Sequence, residues 1–231
     1  MHPQVPNVDP LQELSPSDKA LFVEFGVGLS VASPFQCVHH AFEFHARTQP
    51  NAIAVEDFEK TITYAELDRQ ANCVATHLQQ RGVKLDSRVC FVAERSIPMI
   101  VGILGILKAG AAYVPLDGNI VSDSTLKHAL TGSESSVALV LQKFAHRVAG
   151  DWQPICLEDI ICAESTSSHC RKPADLSTSN HGVYVIYTSG KLEKLYVSSH
   201  LMQPEGTTGV PKGVDVTHGN ATNREYLLLP L

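Results

Sequence analysis

Apolar positions recur along this chain with two alternating periods. Behind Thr63-Tyr64-Ala65-Glu66, Leu67, Ala71, Val74 and Leu78 fall at i, i+4, i+7 and i+11, which predicts a helix running to about Arg81 and ended by Gly82. Thr63 and Glu66 have the spacing of a capping box, in which the hydroxyl bonds the N3 amide and the carboxylate reaches back to the cap amide. The apolar run Arg88 to Ala93 then predicts a buried strand. Ser96 and Pro98 open a second helix that Gly110 closes, and a strand follows at Ala111 to Pro115. The alternation continues with a short helix near Ser124 to Leu130, a strand at Val137 to Leu141, a short helix, and strands at Ile155 to Leu157 and Val183 to Tyr187. Upstream, a helix carries Val38, Phe42 and His45 or Ala46 on one face, and a turn at Pro50-Asn51 leads into a strand at Ala52 to Val55. Such βα repetition predicts an α/β fold: a mainly parallel sheet flanked by helices, with ligands at the carboxyl ends of its strands. Residues 1–33, rich in Pro and Asp with one apolar patch at Ala20 to Phe25, read as a surface arm, and 34–231 as the domain. The polar stretch Cys162 to His181 reads as an exposed loop.

Composition narrows the possible partners. Hydrophobic residues make up 44% and charged residues 18% of the 231, as in ordinary globular domains. A formal net charge of −6 counts against nucleic acid and anionic membranes, which are bound through basic surfaces. The first residues lack the basic segment and apolar run of a secretory signal, and the apolar stretch Ile97 to Ala112 is too short and broken to span a bilayer. The expected location is cytoplasmic. Six cysteines lie without zinc-ligand spacing and read as free, largely buried thiols. His39, His40 and His45, at i, i+1 and i+6, do not share one helical face, so no metal-ligand cluster is assigned. The segment Gly26 to Val31 lacks the third glycine of a dinucleotide fingerprint, and no GxxxxGK[ST] string is present.

The chemistry is concentrated in a motif that occurs in two pieces. Tyr187-Thr188-Ser189-Gly190 is followed by sixteen unrelated residues, 191–206, and then by Thr207-Thr208-Gly209-Val210-Pro211-Lys212-Gly213. Joined, the pieces read YTSGTTGVPKG. Glycines let a backbone approach an anion closely, hydroxyls donate to phosphate oxygens, and a lysine supplies compensating charge. The joined string resembles the phosphate loop of the adenylate-forming (AMP-binding) ligases. Two further stretches carry the same resemblance: ITYAEL, Ile62 to Leu67, and LKAGAAYVPLD, Leu107 to Asp117, with VDVTHGNATN, Val214 to Asn223, continuing the third. The tyrosine of the second makes the chain most like the N-terminal part of a nonribosomal peptide synthetase adenylation domain. The first two stretches are architectural in the family as well as by their own pattern.

The resemblance implies ATP-dependent activation of an amino or other carboxylic acid as acyl-AMP, with Mg²⁺, release of pyrophosphate, and transfer to the phosphopantetheine arm of a carrier protein. It assigns Thr188, Ser189, Gly190, Thr207, Thr208, Gly209, Lys212 and Gly213 to the β- and γ-phosphates. It assigns no catalytic residue and no metal ligand, because the family's acid pocket, adenine and ribose motifs, metal-binding acid and catalytic lysine follow later in sequence. The chain is therefore expected to be an incomplete portion of the large N-terminal domain, inactive alone. A fragment of an acyl-CoA ligase or carboxylic acid reductase, and a non-catalytic interaction module, are the alternatives.

The insertion bears unequally on fold and ligand. Lengthening a flexible loop several-fold adds only roughly 1 kcal/mol of closure entropy, so the framework tolerates it. A phosphate nest needs amides at hydrogen-bond distance and does not. The sixteen residues read as an unspliced intron, with a genuine surface loop as the alternative. Gly190-Lys191 can be encoded GGTAAG, with a GT donor, and Glu205-Gly206 GAAGGN, with an AG acceptor one base into the glycine codon; Leu201-Met202 as CTAATG suits a branch point. Excision of these sixteen codons restores one glycine and the frame. Sequencing the mature transcript is expected to find 191–206 absent; their retention, or a genomic Gly190 codon other than GGT, contradicts splicing.

Overall fold

The computed structural model describes residues 14–26, 33–58, 60–135, 137–148, 152, 154–164, 172–188 and 212–222. Contacts divide the chain into two units, Met1–Ala32 and Ser33–Leu231. In the first, a helix not anticipated from sequence forms at Pro16–Leu21 (α1), where Ser15 accepts the Asp18 N–H at 3.2 Å and proline sits in the first turn. A π-helical turn, Phe22–Gly26, continues it and exposes Val23 and Phe25.

The second unit has α2 (Val38–Thr48), an antiparallel pair of strands β1 (Ile53–Asp57) and β2 (Lys60–Thr63), α3 (Tyr64–Gln80), β3 (Arg88–Ala93), α4 (Ile97–Lys108), β4 (Ala112–Asp117), α5 (Asp123–Gly132), β5 (Val137–Val140), a 3₁₀ turn at Gln142–Arg147, β6 (Pro154–Cys156), α6 (Leu157–Glu164), β7 (Gly182–Thr188) and β8 (Lys212–Thr217). Six strands form one sheet in the order β6-β5-β3-β4-β7-β8, parallel except for the antiparallel β7–β8 edge. The α/β class and largely parallel sheet follow the sequence reading. β2 and β8 were not anticipated.

Continuous apolar runs suit strands covered on both faces, and all of Val89 to Ala93 and Val137 to Val140 are buried. Helix α3 starts as its cap predicts: Thr63 accepts the Glu66 N–H at 3.3 Å. The reciprocal half of the box is replaced, because the Glu66 carboxylate takes Arg69 and Gln70 instead. Gly82 and Gly110 end α3 and α4 at φ of 86° and 85°, where a Cβ would be strained. Inside α4 glycine serves close approach: a Cβ on Gly105 would stand 2.5 Å from Val74 of α3, and one on Gly102 2.4 Å from the Phe91 ring of β3. Of the described cysteines, Cys37, Cys90, Cys156 and Cys162 are free thiols as expected, whereas Cys73 is disulfide-bonded.

A buried cation joins three helices. Lys108, at the end of α4 and 1% exposed along its side chain, donates to Glu43 of α2 at 2.6 Å and to Asp68 and Asn72 of α3 at 2.8 and 2.9 Å. Lys172 approaches the other Glu43 oxygen at 2.6 Å. Burial raises the Glu43 pKa, but the hydrogen bonds and charges of Lys108 and Lys172 outweigh it and leave the pKa below the ordinary 4.5. Such a depressed carboxylate stabilises the fold fully above that ordinary value and progressively less as pH falls through the folded one. Lys108→Met keeps much of the volume but leaves two carboxylates facing each other, and is expected to cost about 3 kcal/mol by urea unfolding at neutral pH; a loss below about 1 kcal/mol contradicts the role given to this cation. Glu43→Gln is expected to flatten the fall in stability below pH 4.5, and an unchanged acid limb contradicts the assignment.

Candidate functional site

β7 is built from β-branched and aromatic residues, Val183-Tyr184-Val185-Ile186-Tyr187, which suit a pleated and half-buried surface. Val183 and Val185 face the core, 2% and 3% exposed, while Ile186 opposes Val214 of β8 with both exposed. β4 holds the inner side of β7 through Tyr113 and Tyr184, whose ring centroids lie 5.8 Å apart. On the outer side β8 pairs from Gly182↔Thr217 to Tyr187↔Gly213 and Thr188↔Lys212.

This register sets the described ends of the two halves of the split motif opposite each other. The last residue of the first half described here, Thr188, stands opposite Lys212 of the second half, at the carboxyl end of β7. Residues 191–206 fall wholly between the paired strands. Of the residues assigned from sequence, Thr188, Lys212 and Gly213 are placed; Ser189, Gly190, Thr207, Thr208 and Gly209, like 191–206, lie outside the described residues.

Gly213 is fitted to its neighbours. A Cβ there would meet Val185 Cγ1 at 3.1 Å and Tyr187 Cζ at 3.3 Å. The Tyr187 ring also abuts Gly132 of α5, where a Cβ would lie 3.1 Å from its hydroxyl, and meets His128 edge to face at 5.8 Å. An aromatic ring packed over a strand glycine covers the backbone there and pins register. Arg88 reaches both carboxylate oxygens of Asp215 at 3.0 and 3.1 Å, although at 61% exposure of the Asp215 side chain this pair adds little stability. Past β8, Thr217 and Asn220 cap the turn at 218–222 reciprocally, the Asn220 N–H donating to Thr217 Oγ1 and the Thr217 N–H to Asn220 Oδ1, each at 3.2 Å.

The residues after β8 meet the start of α2 in a polar cluster that local spacing could not reveal. Cys37, His39 and His218 are 0%, 0% and 1% exposed. His39 and His40 both place Nε2 on Asp175 Oδ2, at 2.9 and 2.6 Å, while His45 pairs with Gln49 instead. Burial raises the Asp175 pKa, but bonds from His39, the Ser177 amide and His40 overcome it and hold the carboxyl far below its usual range. Burial, with the Asp175 charge, pushes the Cys37 thiol up to about 12. Burial and then His39 and His40 bring His218 down to about 4, so it is a neutral imidazole, with Nδ1 accepting the Val38 N–H at 3.3 Å.

A cleft of about 740 Å³ opens at the carboxyl ends of β3 and β5, lined by Glu94, Arg95, Ser96, Leu141 and Lys143 among others. Glu94 is taken by Lys143 and by Asn119. Among the described residues, no helix is long and apolar enough to cross a membrane.

Residues 42–190 match the AMP-binding enzyme family. Adenylate-forming reductase 03009 of Coprinopsis cinerea is 55% identical over 93% of this chain and 20% of its own length, and malpinin synthetase of Mortierella alpina 41% over 89% and 2%. Relatives thus include both an adenylate-forming reductase and a peptide synthetase, the first at the higher identity. The nonribosomal peptide synthetase FmoA3 shares the fold with a TM-score of 0.71 at 23% identity, over 94% of this chain and 21% of that one. The N-terminal subdomain of Klebsiella oxytoca NpsA does so with a TM-score of 0.62 at 19% identity, over 80% and 41%. The chain spans about a fifth of the length of the reductase it matches. With most of its described domain inside the matched region, this chain belongs to the AMP-binding enzyme family.

Proposed function

We propose that this chain supplies the phosphate-loop portion of an adenylation module that activates a carboxylic or amino acid as its acyl-AMP, in a protein of the adenylate-forming reductase type. The observation that carries the reading is the β7–β8 register, which sets Thr188 against Lys212 and Tyr187 against Gly213 at the carboxyl edge of a parallel sheet. The 55% identity to a reductase favours that branch. A peptide-synthetase module is the second reading, favoured by the 41% identity to malpinin synthetase.

In this proposal Thr188, Ser189, Thr207 and Thr208 donate to the β- and γ-phosphate oxygens of ATP, Gly190, Gly209 and Gly213 allow the backbone to approach, and Lys212 offsets the charge that develops as pyrophosphate leaves. Mg²⁺ would neutralise phosphate charge, and no residue of this chain is assigned to it. The acyl group would pass to the phosphopantetheine thiol of a carrier protein; one structural neighbour, NpsA-ThdA, is an artificially fused adenylation–PCP di-domain. A cytoplasmic setting belongs to the same reading. With 191–206 in place the amides of the loop are divided, and the chain as it stands is inactive.

Removing 191–206 is therefore expected to create pyrophosphate and MgATP binding, read as a rise in melting temperature. At a hundred times the dissociation constant the gain is about 2.7 kcal/mol. Lys212→Ala in the shortened chain is expected to abolish the rise. A shortened chain no more stabilised than the longer one, or an alanine variant stabilised equally, contradicts the assignment. The 231-residue chain itself is expected to give no amino-acid-dependent exchange of pyrophosphate into ATP; exchange above an enzyme-free blank refutes its inactivity.

A further inference from the structure

In the buried cluster where α2 begins and β8 ends, two side-chain atoms among the described residues have no hydrogen-bond partner, Ser177 Oγ and His39 Nδ1. The Nδ1 atom of His39 lies in a fully buried side chain and has no hydrogen-bond partner. An orphaned ring nitrogen of this kind is costly and calls for a ligand. Its chemical state is set from the other side of the ring. Nε2 lies 2.9 Å from the Asp175 carboxylate and donates to it, so Nδ1 is the ring nitrogen left to offer a lone pair to a ligand. Cys37, His39 and His218 each offer a ligand atom, the sulfur and one ring nitrogen apiece, and these lie within 4.8 Å of one another.

We propose that Cys37, His39 and His218 bind a thiophilic divalent cation of the Zn²⁺ class, with Asp175 as the carboxylate that orients His39. Two imidazoles and a sulfur suit such an ion and do not suit Mg²⁺ or Ca²⁺, which take oxygen ligands. A carboxylate on the far nitrogen of a ligating histidine is the usual support for such a ligand. In a tetrahedral site with metal–nitrogen distances of about 2.0 Å and metal–sulfur of about 2.3 Å, donor atoms stand roughly 3.5 Å apart, so these three close inward by about 1 Å or less. The Val38 N–H, 3.3 Å from His218 Nδ1, is a long bond, and it opens when the histidine ligates through either nitrogen. In the second cluster, His39, His40 and Asp175, the ring nitrogens that face the carboxylate are already engaged in bonds of 2.9 and 2.6 Å, so His39 Nε2 offers a cation no lone pair there. Cys37 is the N-cap residue of α2, His39 lies in its first turn and His218 follows β8 directly, so the ion would fasten the root of the phosphate-loop hairpin to α2. This inference does not depend on the chain's adenylation chemistry.

The test uses the 231-residue chain, stripped with a chelator and titrated with Co²⁺. The expected result is one ion per chain, with the intense visible absorption of a four-coordinate cobalt centre and a thiolate charge-transfer band. Zn²⁺ is expected to bleach both. Cys37→Ser is expected to abolish the thiolate band, Asp175→Asn to weaken binding 10- to 100-fold, and Cys162→Ser, at an exposed free thiol, to change nothing. Absence of these bands, a six-coordinate spectrum, or a thiolate band that persists in Cys37→Ser overturns the proposal. Should Cys37→Ser fail to fold, the unsubstituted chain decides: Zn²⁺ raises its melting temperature and Mg²⁺ does not, whereas equal shifts or none overturn it.

Discussion

The antiparallel pairing of β7 with β8 is the contact on which the rest of the candidate site depends. Every assigned phosphate residue lies on one of these strands or on the chain between them, so the register of the pair sets where the loop starts and finishes. The pair is anchored from inside the sheet, where Tyr113 opposes Tyr184 and the buried Val183 and Val185 face the core. Gly213 beneath Val185 and Tyr187 opposes a slip by one residue, because a slip would put Lys212 or Val214 where a Cβ would stand 3.1 Å from Val185 and 3.3 Å from the ring. None of these contacts involves residues 191–206. An insertion between the strands therefore adds roughly 1 kcal/mol of closure entropy and leaves the anchors untouched. In sequence the same insertion divides the residues that the proposed phosphate site would need to bring together.

The scaffold depends in turn on how tightly α4 seats between α3 and β3. Gly102 and Gly105 allow backbone approach that any side chain would block, and Lys108 finishes the helix with its ammonium shared among Glu43, Asp68 and Asn72. LKAGAAYVPLD thus contains a buried cation, a left-handed glycine stop at Gly110 and the start of β4, three structural duties within eleven residues.

Much of this was legible in sequence because its causes are local. Thr63, Ser96, Gly82 and Gly110 mark helix ends through their own backbone chemistry, and the runs at Arg88 and Val137 announce strands covered on both faces. β2 was missed because Lys60–Thr63 is short and runs into the α3 cap, and its pairing with β1 turns through Phe58 at a φ of 53° that no glycine advertises. β8 reads as motif rather than strand, since Lys212-Gly213 looks like loop until Tyr187 covers it. The α1 cap at Ser15 was present in the sequence but obscured by the prolines around it. The Cys37–His39–His218 cluster was invisible for a different reason: its members approach across residues far apart in the chain, and Asp175 comes from a stretch read as a polar loop. Local spacing correctly separates His45 from His39 and His40 but carries no information about His218.

Amide hydrogen exchange across 182–188 and 212–217, compared between the chain with residues 191–206 and the chain without them, tests most directly whether the hairpin is independent of its loop. The account predicts the same slowly exchanging amides in both chains. Loss of protection in these strands when 191–206 are present would contradict it, because the two halves of the motif would then not be held together by the pairing described here.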